Sequence, residues 1–235
     1  MEFKLILLQI IAHLLADFIF QTQKMSEKKA RKVLSPSHFY HVLIVGVASY
    51  GLSFDLGFWK AALLLTIIHL LTDIFKSWLV LKNKTRSYFF LDQFIHIITI
   101  VGIVFAYSFF FGIDFLIDLN LKIVAVVAAF VFCAKPSNIF IKYIFEAFSI
   151  ETPEENSENP GEQSLPNAGK LIGIIERFLA LALIIMGQYQ AVGLIIAAKS
   201  ILRFNGVQKS EYVLIGTLLS FGIAAFSGIL VNMIV

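Results

Sequence analysis

The chain has 235 residues, of which 58% are hydrophobic and only 15% charged, with a mean hydropathy of +0.83; an ordinary soluble domain carries about a quarter charged residues. Its net charge of +3 is small, and the basic residues fall in short segments between apolar runs, which excludes a nucleic-acid-binding surface. A single cysteine, Cys133, excludes an intrachain disulfide and sits in an apolar run as a small core residue.

Apolar runs approaching the roughly 20 residues that cross a bilayer recur along the chain. They predict an all-α, polytopic integral membrane protein of about eight transmembrane helices, at residues 3–21, 39–54, 58–81, 88–112, 121–148, 170–186, 189–204 and 211–235. The first run continues past Gln9, His13 and Asp17 without a small-residue cleavage pattern, so it is expected to remain as a span. The second, sixth and seventh are short. Pro136 in the fifth, within AKPSN, predicts a kink. Gly216, Ser220, Ala224 and Gly228 form a small-residue stripe on the eighth, which lets a neighbouring helix approach closely; Gly169 and Gly173 repeat the idea on the sixth.

Between the fifth and sixth runs lies ETPEENSENPGEQSLPNA, an acidic, Pro- and Asn-rich segment expected to be a flexible cytoplasmic linker at 150–169. It divides the chain into a five-span half (1–149), which holds every histidine, and a three-span half (170–235), which holds none. Basic residues in short loops mark the cytoplasmic side. Lys24, Lys28, Lys29, Arg31 and Lys32 follow the first span, and Lys82, Lys84 and Arg86 follow the third. Arg203 and Lys209 precede the eighth. The segments 51–57 and 112–120 carry Asp55, Asp114 and Asp118 and no basic residue. Both termini are therefore expected on the non-cytoplasmic side of a bacterial-type inner (plasma) membrane.

Three of the five histidines have an aspartate four residues away: HLLAD (His13, Asp17), HLLTD (His69, Asp73) and DQFIH (Asp92, His96). A fourth pair, His38 and His41, stands three apart in HFYH. Residues three or four apart share a helix face and can clasp one ligand together. Counted at about 1.5 Å per residue from the cytoplasmic ends, Asp17 and Asp92 lie at roughly 6 Å, and His13, Asp73 and His96 at roughly 12 Å. His69 lies at about 18 Å, and His41 near the surface. Pairs from four spans thus fall in one slab of the cytoplasmic leaflet. Ionisable groups inside a membrane are costly and mark function. A single pair is explained as well by a helix–helix hydrogen bond; matched pairs in one slab point to a site.

Imidazole nitrogen with carboxylate oxygen suits Zn²⁺, Mn²⁺ or Fe²⁺. The expected metal ligands are His13, Asp17, His41, His69, Asp73, Asp92 and His96, enough for one or two ions. His38, just after Pro36, is left outside that set. A divalent ion acidifies water and polarises the bond to be cleaved, so the first expectation is a metal-dependent hydrolase in which Asp17, Asp73 or Asp92 moves protons. Lys135, Arg177, Lys199 and Arg203 are the expected cations for an anionic, lipid or lipid-linked substrate, although Glu176 can equally be the partner of Lys199 or Arg203. The alternatives are a divalent-metal or proton transporter or channel, a b-type haem protein, and a non-catalytic membrane partner subunit.

These strings resemble a bacterial integral-membrane family, the domain-of-unknown-function 3307 family. Its segments HLLADF…Q, H…D, DQ..H, GKLIGxxER, GQYxAxGxxxAAKSxxRF and EYVLIGTLLS stand here at 13–21, 69–73, 92–96, 169–177, 187–204 and 211–220. The resemblance covers nearly the whole chain and implies a membrane fold without implying an activity. More loosely, the His/Asp spans are similar to those of membrane-bound metal-dependent hydrolases. The paired-glutamate motif of intramembrane CAAX-type proteases is absent.

Overall fold

A computed structural model describes residues 1–83, 88–150, 168–203 and 210–234. The described residues are helical, with no strand among them. They form α1 (Glu2–Leu14), a π-helical turn (Leu15–Phe20), α2 (Gln23–Arg31), α3 (Pro36–Ser53), a 3₁₀ turn (Leu56–Phe58) and α4 (Trp59–Asn83). Then come α5 (Phe89–Phe111), α6 (Leu121–Cys133), α7 (Lys135–Ala147), α8 (Ala168–Ile185), α9 (Tyr189–Arg203) and α10 (Ser210–Met233). Four helical stretches among the described residues are long and apolar enough to cross a membrane: Glu2–Phe20, Leu56–Lys82, Phe89–Phe111 and Leu214–Met233. The pair α6 and α7 passes the same test jointly. Below it fall α3, α8 and α9, the three runs that are short in the sequence. Residues 151–167 of the expected linker and the basic residues Lys84, Arg86 and Lys209 lie outside the described residues, while Ala168 and Gly169 already belong to α8.

The chain divides into two compact units, Met1–Val131 and Phe132–Val235. In the first, α1 packs on α3 and α5, and α4 packs on the same two helices. The four form a closed ring with α1 opposite α4. Toward the Met1 end its interior is apolar: Leu5, Phe58, Ala62, Leu65, Ile103 and Val104 pack together. Toward the Phe20 end the interior turns polar. The outward faces are the reverse, with Leu43, Val47, Leu71, Phe94 and Phe109 exposed. Apolar outside and polar inside is the pattern of helices bathed in lipid.

Local chemistry closes the Met1 end. Phe54 adopts a left-handed φ of 51° to end α3. Asp55 then accepts hydrogen bonds from the Gly57 N–H at 2.8 Å, the Tyr107 hydroxyl at 3.0 Å and the Asp114 N–H at 3.1 Å. Gly57 is required here, because a Cβ would stand 2.7 Å from the Tyr107 oxygen. At the other end, the basic segment after the first span is itself a helix, α2, begun by Thr22, whose hydroxyl accepts the Met25 N–H. It packs on α3 and α4.

In the second unit, α8 packs on α10, with α7 and α9 beside them. The small-residue stripe faces α8: a Cβ on Gly228 would lie 2.6 Å from the Ile184 Cγ2. Gly187, at φ +74°, makes the turn from α8 to α9. The fifth run is broken at Ala134, and Pro136 sits in the first turn of α7. A proline cannot donate to the carbonyl four residues back, so the Ser137 hydroxyl donates to the Phe132 carbonyl instead, at 2.6 Å. Arg177 donates to the Cys133 and Ala134 carbonyls at 2.7 and 3.2 Å.

Candidate metal centre

Each helix of the ring contributes one histidine to its interior: His13 from α1, His41 from α3, His69 from α4 and His96 from α5. All four are buried, as are Asp73 and Asp92, and Asp17 is nearly so. The rings contact one another. His69 stacks on His96 with centroids 4.1 Å apart, His13 lies 5.0 Å from His96, and His41 lies 5.1 Å from His69.

Asp17 reaches this centre through the π-helical turn. The Gln21 N–H donates to the Ala16 carbonyl, five residues back, at 3.0 Å, so the helix widens at Leu15–Phe20. Asp17 Oδ1 consequently stands closer to residues of other helices than to its own α1 partner. It is 3.3 Å from His41 Nε2 and 3.4 Å from His69 Nε2, against 3.7 Å from His13 Nδ1. The two Nε2 atoms are 3.0 Å apart, and each is 3.7 Å from Asp73 Oδ2.

Asp17 Oδ1 and Asp73 Oδ2 thus each lie close to the same two Nε2 atoms, and Asp73 Oδ2 is also the oxygen that Lys29 binds. A tetrahedral ion with bonds of about 2.0–2.1 Å has ligand–ligand edges of roughly 3.3–3.4 Å. The distance between the two nitrogens, 3.0 Å, and those from each oxygen to them, 3.3 to 3.7 Å, are of that size, five of the six edges of such a set. Asp17 Oδ1 is buried with no hydrogen-bond partner among the described residues, and so is His41 Nδ1. Unsatisfied buried donors and acceptors are rare in folded proteins.

Around this set lie groups that orient it. The Gln93 amide donates to Asp92 Oδ2 at 3.2 Å, and its carbonyl oxygen faces His13 Nε2 at 3.2 Å. His13 then carries its proton on Nε2, and the Nδ1 lone pair is turned toward Asp17. Two ammonium groups hold the carboxylates: Lys29 of α2 binds Asp73 and the Gln21 side chain, and Lys76 of α4 binds Asp92 Oδ2 at 2.6 Å. His38 lies in the first turn of α3 rather than in a loop. Its Nδ1 accepts the Ser35 N–H at 3.1 Å, and its Nε2 faces the Ser77 hydroxyl at 3.2 Å. It caps the helix, and both its nitrogens are engaged.

All seven ligands expected from the sequence thus come together in the first unit. Of the expected substrate cations, Lys135, Arg177 and Lys199 belong to the second unit. Arg177 is fully buried in it, bound to the two carbonyls of the helix break, to Asn138 Oδ1 at 2.6 Å and to the Ser220 hydroxyl at 3.2 Å. Lys199 pairs with Glu176 at 2.6 Å. The side chain of Arg203 lies outside the described residues. Lys29, Lys76 and Gln93 were not singled out by the sequence reading. Lys76 follows Asp73 by three residues and Gln93 stands inside DQFIH, so both were within sight of the motifs. Lys29 was indistinguishable from its basic neighbours.

A family model described as Protein of unknown function (DUF3307) matches residues 5–116, the stretch that contains all seven candidate ligands. No curated protein and no solved structure matches the chain.

Proposed function

We propose that this chain, whose residues 5–116 match the DUF3307 family model, is a multi-pass protein of the inner membrane that holds a divalent transition metal near the cytoplasmic end of its first four spans. The termini lie on the opposite side, and α3, α6 with α7, α8 and α9 complete eight crossings. The observation that supports the metal reading is the cluster of His41 Nε2, His69 Nε2, Asp17 Oδ1 and Asp73 Oδ2, in which each oxygen lies 3.3–3.7 Å from both nitrogens. Two neutral imidazoles and two carboxylates balance a doubly charged cation, and the donor set suits Zn²⁺, Mn²⁺ or Fe²⁺.

The activity that fits is metal-dependent hydrolysis of a lipid or other anionic membrane-associated substrate. An ion held there supplies Lewis acidity toward the bond to be cleaved. Lys29 and Lys76 bring positive charge to the Phe20 end, where a negatively charged head group would approach. On the far side of the histidines lies a cavity of about 20 Å³, lined by Gln9, Ser49 and Thr99 among others, with room for about one water. Beyond it, the apolar packing of Leu5, Phe58, Leu65 and Val104 closes the ring. That cavity is also the one feature that favours the second reading, a proton or divalent-metal transporter, which a flux assay in proteoliposomes separates from hydrolysis.

The test of the metal is direct. The protein is purified in detergent, loaded with Zn²⁺, Mn²⁺ or Fe²⁺, desalted and measured by elemental mass spectrometry beside His41→Ala and Asp73→Asn. At least one ion per chain, lost in both variants at an unchanged elution volume, is the expected result and justifies a screen of phosphate-ester and lipid substrates. No bound ion in the wild type with any of the three metals overturns the reading.

A further inference from the structure

Asp92 and His96 remain outside the cluster of His41, His69, Asp17 and Asp73. One buried atom of each, Asp92 Oδ1 and His96 Nε2, has no hydrogen-bond partner among the described residues, and the two stand 3.5 Å apart. Lys76 and Gln93 both bind the other oxygen, Oδ2, and so hold Oδ1 turned inward. Donor atoms of Asp73, Asp92 and His96 lie within 4.8 Å of one another, and His96 stacks on His69, a member of the first set. Asp73 is therefore common to two donor groups.

We infer that Asp92 and His96, sharing Asp73, form a second divalent-cation site beside the first, and that this site fills together with a phosphate-type anion. The inference rests on the metal reading above and extends it to the substrate class. A carboxylate common to two ions is the arrangement of two-metal sites, whose ions lie about 3.5–4 Å apart. Charge decides when the second ion enters. Asp17, Asp73 and Asp92 against Lys29 and Lys76 leave one net negative charge, with the imidazoles neutral. One divalent ion turns this into one net positive charge. A second would raise it to three, which a buried site does not tolerate without a counter-charge. A phosphate dianion arriving with the second ion returns the total to one. Phosphate oxygens are also the ligands that two ions clamp together, and Lys76, whose side chain is 33% exposed, is placed to meet a third oxygen.

The test uses Mn²⁺ and inorganic phosphate with the full-length protein in detergent. Equilibrium dialysis gives ions per chain, and electron paramagnetic resonance separates an isolated Mn²⁺, with its six-line spectrum, from a spin-coupled pair. The expected wild-type result is one ion per chain without phosphate and two with it, the second appearance accompanied by a coupled spectrum. Asp92→Asn and His96→Gln, both near-isosteric and checked by elution volume, are expected to hold one ion in either condition, with only the isolated spectrum. A wild type that stays at one ion in phosphate, or an Asp92→Asn variant that still takes two, overturns the second site and leaves the first standing. No ion in the wild type under either condition removes both.

Discussion

At the scale of single residues, the site is organised by side chains that make no bid to be ligands themselves. Gln93 ties Asp92 to His13 and thereby settles which nitrogen of His13 bears the proton. Groups in this position normally set ligand basicity and orientation, and their loss costs about 10- to 100-fold in metal affinity. Gln93→Leu is accordingly expected to weaken binding by about that factor while the number of ions per chain stays the same, measured by competition with a chromophoric chelator. Unchanged affinity would remove Gln93 from the site. Lys29 and Lys76 do a related job by charge: each sits on a carboxylate that would otherwise be buried without a counter-ion.

At the scale of elements, helices here bend the regular pattern where the chemistry or the packing needs it. The π-helical turn at Leu15–Phe20 carries Asp17 from the face of α1 into the space between α3 and α4. The short α2 brings Lys29 over Asp73. Between α8 and α10 the constraint is steric. Any side chain at Gly228 meets Ile184, so Gly228→Ala is expected to cost roughly 1–3 kcal/mol of stability through overpacking, read as a lower unfolding midpoint in detergent. Adding Ile184→Ala is expected to recover part of the loss, because it removes the Cγ2 atom that the new methyl would strike. Ile184→Ala that costs as much beside Gly228→Ala as it does alone would argue against close approach of these two helices.

At the scale of the whole molecule, the two units divide the work. Every candidate ligand lies in Met1–Val131, while the fully buried Arg177 serves Phe132–Val235 by satisfying the carbonyls that the break at Ala134 leaves without helical partners. Inside a membrane such carbonyls find no water, so a side chain must meet them. Arg177→Met leaves both unpaired, at about 1–3 kcal/mol each. A clearly lower unfolding midpoint is expected, with metal content per folded chain as in the wild type. Loss of the ion from well-folded Arg177→Met would overturn this purely structural role.

The sequence by itself determined what is local. Apolar runs are contiguous, so helical class and the approximate extent of each stretch follow from them, including the three that are short. The His/Asp spacing is also local: four residues on a helix return to the same face, and pairs at matching depths in four spans already describe a layer. The same logic made Pro136 a break and the Gly216–Gly228 spacing a packing face. What only the tertiary structure decided depends on residues far apart in the chain. Lys29 meets Asp73 across 44 positions, and Arg177 meets Cys133 across 44 as well. Nothing in the basic string around Lys29 marks it off from Lys28, because burial is settled by how α2 lies on α3 and α4. The ring order, with α1 opposite α4, likewise decides which donors face one another: Asp17 turns to His41 and His69 more closely than to the His13 it was paired with by spacing. Periodicity says which face of a helix a residue occupies, but only the closing of the ring says what that face meets.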